Sequence, residues 1–169
     1  MFQSHRLLPG VGPRISKLLE GLAGPRIADL LWQLPYALID RRAAPALDRT
    51  SVTPYIGHII TLTLTVNSHH APARRSLPYR VRCSDDKGGH IELTPLNVKG
   101  DYLAQILPVG GKRMVSGRLE SYQGTLQMPH PDYIVPVDEA TQIPAIDPIY
   151  PLAAGITHKM RAKIMRNAL

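Results

Sequence analysis

The chain has 169 residues, with 20 Lys/Arg against 13 Asp/Glu and a net charge of +7. That length suits one domain with a helical appendage and excludes a motor with two lobes. Hydrophobic residues make up 44% of the chain, and 13 glycines with 16 prolines predict many turns but no low-complexity disorder. A single cysteine, Cys83, excludes an internal disulfide, and no apolar run near Met1 resembles a secretory or membrane-spanning segment, so a soluble, cytoplasmic protein is expected. The basic excess favours polyanionic partners such as nucleic acid. It is spread along the chain rather than held in one tail, so any binding face must be assembled by folding.

No internal repeat or Gly/Ser linker is present. The polar stretch Arg41 to Pro54 and the Pro-rich stretch Pro136 to Pro151 divide the sequence into residues 1–50, 51–136 and 137–169. In the first part, Leu8-Pro-Gly-Val-Gly-Pro13 is a tight turn opening an amphipathic helix with Ile15, Leu18, Leu19 and Leu22 at helical spacing. Gly24-Pro25 breaks it, and Ile27, Leu30, Leu31 and Leu34 predict a second apolar helix stopping before Pro35, with Trp32 in the core.

The middle part changes from helical to alternating period. Ile60, Leu62, Leu64 and Val66 alternate with threonines; Val81 and Cys83 alternate with Arg80 and Arg82; Ile91 and Leu93 follow Lys87-Gly88-Gly89. Val98 to Leu107 reads as a helix ended by Pro108 and Gly110-Gly111. Arg113 to Tyr122 then predicts a fourth strand, turning at Gln123-Gly124 into a fifth that runs through Leu126 and Met128 toward Tyr133 and Val137. Three strands, a helix and two strands is the order of a five-stranded OB-fold barrel. The fold expected is therefore mainly β with helical appendages: the barrel, a helix-hairpin-helix-like segment before it, and a linker with a C-terminal helix after it. That last helix is capped by Thr157 and carries Met160, Ile164, Met165 and Leu169.

Cationic residues on such a barrel can track phosphates while aromatics stack on bases. The candidates are Arg74 and Arg75 in the first hairpin loop, Arg80 and Arg82 opposite Val81 and Cys83, and Lys112, Arg113 and Arg118 on the fourth strand. A solvated outer face is the competing reading of each. The Gly10-Val11-Gly12 turn, with Arg14 and Lys17 nearby, can present amides to a phosphate; a turn that merely lets two helices pack is the alternative.

Catalytic readings lack the required residues. Gly110-Gly111-Lys112-Arg113 has neither the hydroxyl residue nor the glycine spacing of a phosphate loop. Asp138-Glu139-Ala140-Thr141 is expected to be a solvated turn, and the seven histidines, His69 and His70 among them, have no partners at metal-ligand spacing and are expected in loops.

Five motifs in order carry a family resemblance: Leu8 to Pro13; Ile27-Ala-Asp-Leu-Leu-Trp-Gln-Leu-Pro35 with Asp40-Arg-Arg42; Val115-Ser-Gly-Arg118; Leu126-Gln-Met-Pro-His-Pro131; and Ile149-Tyr-Pro-Leu152. Together they resemble the N-terminal wedge region of RecG, the bacterial ATP-dependent branched-DNA helicase. The resemblance implies an OB-fold wedge that splits duplex at replication forks and Holliday junctions in recombination and repair. It also implies a monomer pushed by motor domains further along the same chain, with ATP and Mg used by the parent and no cofactor or metal in this part. Family members place an aromatic pair near the end of the third strand, where this chain has Pro95 and Leu96. Tyr102 matches a second aromatic of the wedge, and Lys99 lies between them as a further DNA-binding candidate. A protein-interaction OB-fold domain with no specific nucleic-acid role is the rival from another class.

Overall fold

A computed structural model describes residues 4–74, 77–95, 100–152 and 155–168. The chain forms two compact units, Met1–Ile39 with Ile146–Leu169, and Asp40–Ala145.

In the first unit, Gly12 and Pro13 open helix α1 (Pro13–Ala23), where proline at the first helical position removes an amide that would otherwise lack a partner. Gly24, at φ 120°, reverses the chain into α2 (Ile27–Leu31), whose first turn is held by Asp29 accepting from the Arg26 amide. A two-stranded sheet pairs β1 (Ala37–Asp40) with a strand in the Pro-rich stretch expected as an extended connector, Ile146–Ile149. The C-terminal helix (His158–Ala168) is capped by Thr157, whose hydroxyl accepts from Met160 N at 3.2 Å. Leu8, Val11, Leu19, Leu30, Ile156, Ile164 and Met165 form this unit's core.

One expectation fails in this unit. Helix α2 ends at Leu31, so Trp32 and Leu34 leave the helical face and stand 84% and 82% exposed instead of packing inward. The two short helices expected to flank a glycine turn are present, α1 and α2 on either side of Gly24. Ahead of the Gly10–Gly12 turn the described residues make a 3-10 turn, His5–Leu7.

In the second unit, α3 (Arg49–Val52) is capped by Asp48, which accepts from the Thr50 and Ser51 amides. Strand β2 (Ile59–His70) follows, then β3 (Arg80–Ser84), β4 (His90–Thr94), α4 (Gly100–Ile106), β5 (Lys112–Arg118), β6 (Glu120–Tyr122), β7 (Thr125–Pro129) and β8 (Tyr133–Pro136). The strand at Ile146–Ile149 is thus β9 and the last helix α5. The sheet order is β6-β7-β4-β3-β2-β5-β8. Three strands, a helix and further strands follow one another as expected, but among the described residues the five-stranded barrel is replaced by seven strands whose hydrogen-bonded ladder does not close.

Both extra strands arise from breaks in the last third of the sheet. Leu119 turns inward and is fully buried between β5 and β6, dividing the expected fourth strand. His130, at φ 54°, separates β7, which runs parallel to β4, from β8, which runs antiparallel to β5. Gly117 lets β7 approach: a Cβ there would lie 2.8 Å from the Met128 sulfur. Helix α4 is described over Gly100–Ile106, and the expected start at Val98 lies outside the described residues. The inner face is apolar, with Ile60, Leu62, Leu64, Val66, Val81, Cys83, Ile91 and Leu93 packed on Leu103 and Leu107 of α4 and its C-terminal end. Burial pushes the Cys83 thiol up to about 12.

Candidate nucleic-acid interface

Alternation along β3 buries Val81 and Cys83 and leaves Arg80 and Arg82 on the outer face of the sheet. Register carries this face across neighbouring strands. Ser68, Arg82, Glu92, Gln127 and Glu120 stand opposite one another in a row over β2, β3, β4, β7 and β6. Glu92, only 13% exposed at its side chain, serves both arginines: Arg82 Nε lies 3.1 Å from Oε1 and Arg80 Nη1 lies 3.5 Å from Oε2. Two cations therefore share one anion, leaving one net positive charge and several unused guanidinium donors directed to solvent.

The other cations have different surroundings. Lys112 is exposed and its Nζ lies 2.9 Å from Asp86. Arg113 turns the opposite way, donating from Nε to the Ile106 carbonyl at the end of α4 at 2.7 Å and from Nη1 to the Lys112 carbonyl at 2.9 Å. It secures the helix C-terminus to the sheet. Arg118 is exposed at the end of β5 and makes no side-chain hydrogen bond or ion pair among the described residues; Arg74 is exposed in the β2–β3 loop. Arg75, Leu96 and Lys99 lie outside the described residues.

Tyr102 is 56% exposed on α4, because the buried side of that short helix is taken by Leu103. Pro95, at the end of β4, is buried. Arg14 and Lys17 are exposed on α1, and the Gly10–Gly12 turn has open space around it. Gly10 itself sits at φ 81°, which accounts for glycine there by conformation alone.

Sequence reasoning missed two side chains on the outer face, His90 and Tyr122. Both are exposed, and the period-2 alternation places them there once the β4 and β6 registers are known. It also placed His69 in a loop. The residue lies in β2, its ring between the Tyr79 hydroxyl at 3.2 Å and the Leu107 carbonyl at 2.7 Å, where it ties the strand to the end of α4.

Gly110-Gly111-Lys112-Arg113 turns into strand β5, so no helix N-terminus follows to direct amides at a nucleotide phosphate, and Lys112 already faces Asp86. These four residues therefore do not form a phosphate loop. Asp138 and Glu139 lie in an exposed 3-10 turn, Val137–Gln142. Among the described residues no group of three His, Cys, Asp or Glu side chains is arranged to hold a metal, and no helix is long and apolar enough to cross a membrane.

The family model for the RecG wedge domain matches residues 6–169. The chain belongs to the RecG wedge family. Among solved structures, RecG bound to a three-way DNA junction shares its fold with a TM-score of 0.75 at 24% identity, covering 98% of this chain. This wedge spans 22% of the length of that RecG chain. A replication protein A heterotrimer bound to single-stranded DNA aligns over 50% of this chain and 61% of its own, at 15% identity and a TM-score of 0.35. No curated protein matches the sequence.

Proposed function

We propose that this chain is the branched-DNA-binding wedge of a RecG-type helicase, separating strands at replication forks and Holliday junctions without catalysis of its own. Membership of the RecG wedge family over residues 6–169 carries the reading. The outer face supports it with a mechanism: Arg80 and Arg82 present spare donors to phosphates, and Arg118 with the Asp86-paired Lys112 continues the face, while Arg74 in the β2–β3 loop and Tyr102 on α4 offer a further cation and a ring for an unpaired base. Arg113, engaged with two carbonyls, serves the fold instead.

In this reading residues 51–136 are an OB-type wedge proper, 1–50 a hairpin segment in which Gly10, Gly12, Arg14 and Lys17 approach a phosphate, and 137–169 the linker and helix toward the motor. ATP, Mg and the motor domains belong to the parent, a cytoplasmic monomer in which this wedge meets the fork.

A wedge gains contacts only where strands part. Titration of a labelled synthetic fork against blunt duplex at matched salt is expected to give tighter, salt-sensitive binding to the fork, and the purified chain is expected to hydrolyse no ATP with or without DNA. Equal affinity for fork and duplex reduces the chain to a generic basic domain.

A further inference from the structure

One row of the outer face crosses six strands. Lys112 of β5 stands opposite Thr65 of β2, Thr65 opposite Ser84 of β3, and Ser84 opposite His90 of β4. The parallel β4–β7 ladder starts at Glu92 and Gln127; His90 and Thr125 precede it by two residues on their strands and line one groove, and Thr125 stands opposite Tyr122 of β6. At about 4.8 Å between strands, the five intervals from Lys112 to Tyr122 span roughly 24 Å.

Its chemistry is consistent from end to end. A lysine begins the row, three hydroxyl side chains and an imidazole fill it, and a tyrosine ring closes it. None is acidic. The neighbouring row, by contrast, holds Glu92 and Glu120. Between the two rows lies a groove of about 380 Å³ lined by Asn67, Arg82, His90, Ile91, Glu92 and Thr125. Asn67 enters it because a bulge between Val66 and Ser68 shifts the β2 register.

Tyr122 is 61% exposed on the three-residue edge strand β6. It precedes a two-residue turn, Gln123 at φ 48° and Gly124 at φ 77°, of the type that fits the twist of a hairpin. The turn thus sets the backbone that carries the ring at the sheet edge, and a tyrosine has only two side-chain torsions to order when a base stacks on it.

We propose that this row is the path of one unpaired DNA strand, with Tyr122 as the base-stacking platform at its end. The inference rests on the branched-DNA reading and adds to it a strand path and a stacking residue distinct from Tyr102. Hydroxyls and the imidazole hydrogen-bond the sugar-phosphate backbone as it crosses the sheet, Arg82 meets a phosphate from the groove, and the last base lies on Tyr122. About four nucleotides fit the span, at the low end of what one OB-type face accommodates.

The test uses the full chain with three probes: an eight-residue oligothymidine carrying one 2-aminopurine, a fork with one unpaired arm, and blunt duplex. Tyr122→Ala is expected to weaken the oligonucleotide and the fork by about 5- to 150-fold, to abolish the quenching of 2-aminopurine by the ring, and to leave duplex binding and the salt slope unchanged. Tyr122→Phe and Tyr122→Trp, which keep a π-face, are expected to restore both affinity and quenching. Fork and oligonucleotide binding by Tyr122→Ala equal to the parent chain overturns the proposal while leaving the wedge reading intact. So does an equal loss on all three probes that Tyr122→Phe shares. A parent chain that does not distinguish fork from duplex overturns both.

Discussion

Glu92 decides how much of the positive face is available to a phosphate, because each of its oxygens faces a different arginine. Such pairs are solvent-exposed on the arginine side and contribute at most about 1 kcal/mol to folding, so removing the anion is tolerated. Glu92→Gln is therefore expected to tighten DNA binding and to steepen the dependence of log K on log salt by up to about 0.7 to 0.9, one additional effective cation. The converse double variant, Arg80→Ala with Arg82→Ala, is expected to flatten that slope by up to about 1.4 to 1.8 and to weaken all DNAs alike. If both variants keep the parent's slope in a salt titration, DNA does not meet this face. Tyr102 makes a different prediction. Its exposed ring contributes little to the core, so Tyr102→Ala is expected to cost about 1 to 3 kcal/mol on forks while the melting temperature stays within the small range of a surface substitution. A fall in melting temperature matching the lost affinity assigns the ring to packing instead.

At the scale of elements, the hairpin of β3 and β4 is fastened to the segment before α3 by one carboxylate. Asp85 accepts from the amides of Lys87 and Gly89 within the hairpin turn, at 3.0 and 2.7 Å, and from Leu47 across it at 2.8 Å. Burial raises its pKa, but the Leu47, Gly89 and Lys87 amides and the Lys87 charge together outweigh that and hold the carboxyl below its ordinary 3.8. A lowered folded-state value means that the stabilisation is complete above the ordinary value and is lost as pH falls through the lower one. Asp85→Asn is expected to be less stable at neutral pH and to show a flatter acid limb in urea titrations repeated from pH 7 to pH 2. Gly89 closes the same junction: a Cβ there would lie 2.4 Å from the Leu47 Cβ and 2.9 Å from its carbonyl, so Gly89→Ala is expected to cost about 1 to 3 kcal/mol by the same assay. These elements also mark what a sequence can disclose. Alternation in β2 and β3 is a local property and correctly assigns Ile60, Leu62, Leu64 and Val66 inward and Arg80 and Arg82 outward. The divisions at Leu119 and His130 depend on which distant strand each segment pairs with, and period-2 patterning continues across them unchanged. Glu92 lies ten residues from Arg82 and reaches it only across a ladder, and Arg113 has the same alternation whether it meets solvent or the end of α4. Trp32 was misread for the opposite reason, since apolar spacing alone does not reveal that the helix stops one residue earlier.

Over the whole molecule, the apolar side chains gather into two separate clusters, one in each compact unit. Two singular residues mark them. The chain's one tryptophan, Trp32, is exposed in the first unit, and its one cysteine, Cys83, is fully enclosed in the second. The unsubstituted protein therefore contains a separate reporter for each half. Trp32 already faces water, so its emission is expected to change little when the second unit opens, and to respond to whatever approaches the first. Cys83 behaves oppositely. A thiol held up at about 12 supplies almost no thiolate at neutral pH, and enclosure bars reagent from the sulfur, so an aromatic disulfide reagent reacts only with molecules whose sheet has come apart. When reclosing outpaces labelling, the ratio of the observed rate to that of an unstructured cysteine peptide equals the open fraction. The interior of the sheet thus carries its own chemical clock, read at equilibrium in plain buffer, with no denaturant and no inserted label.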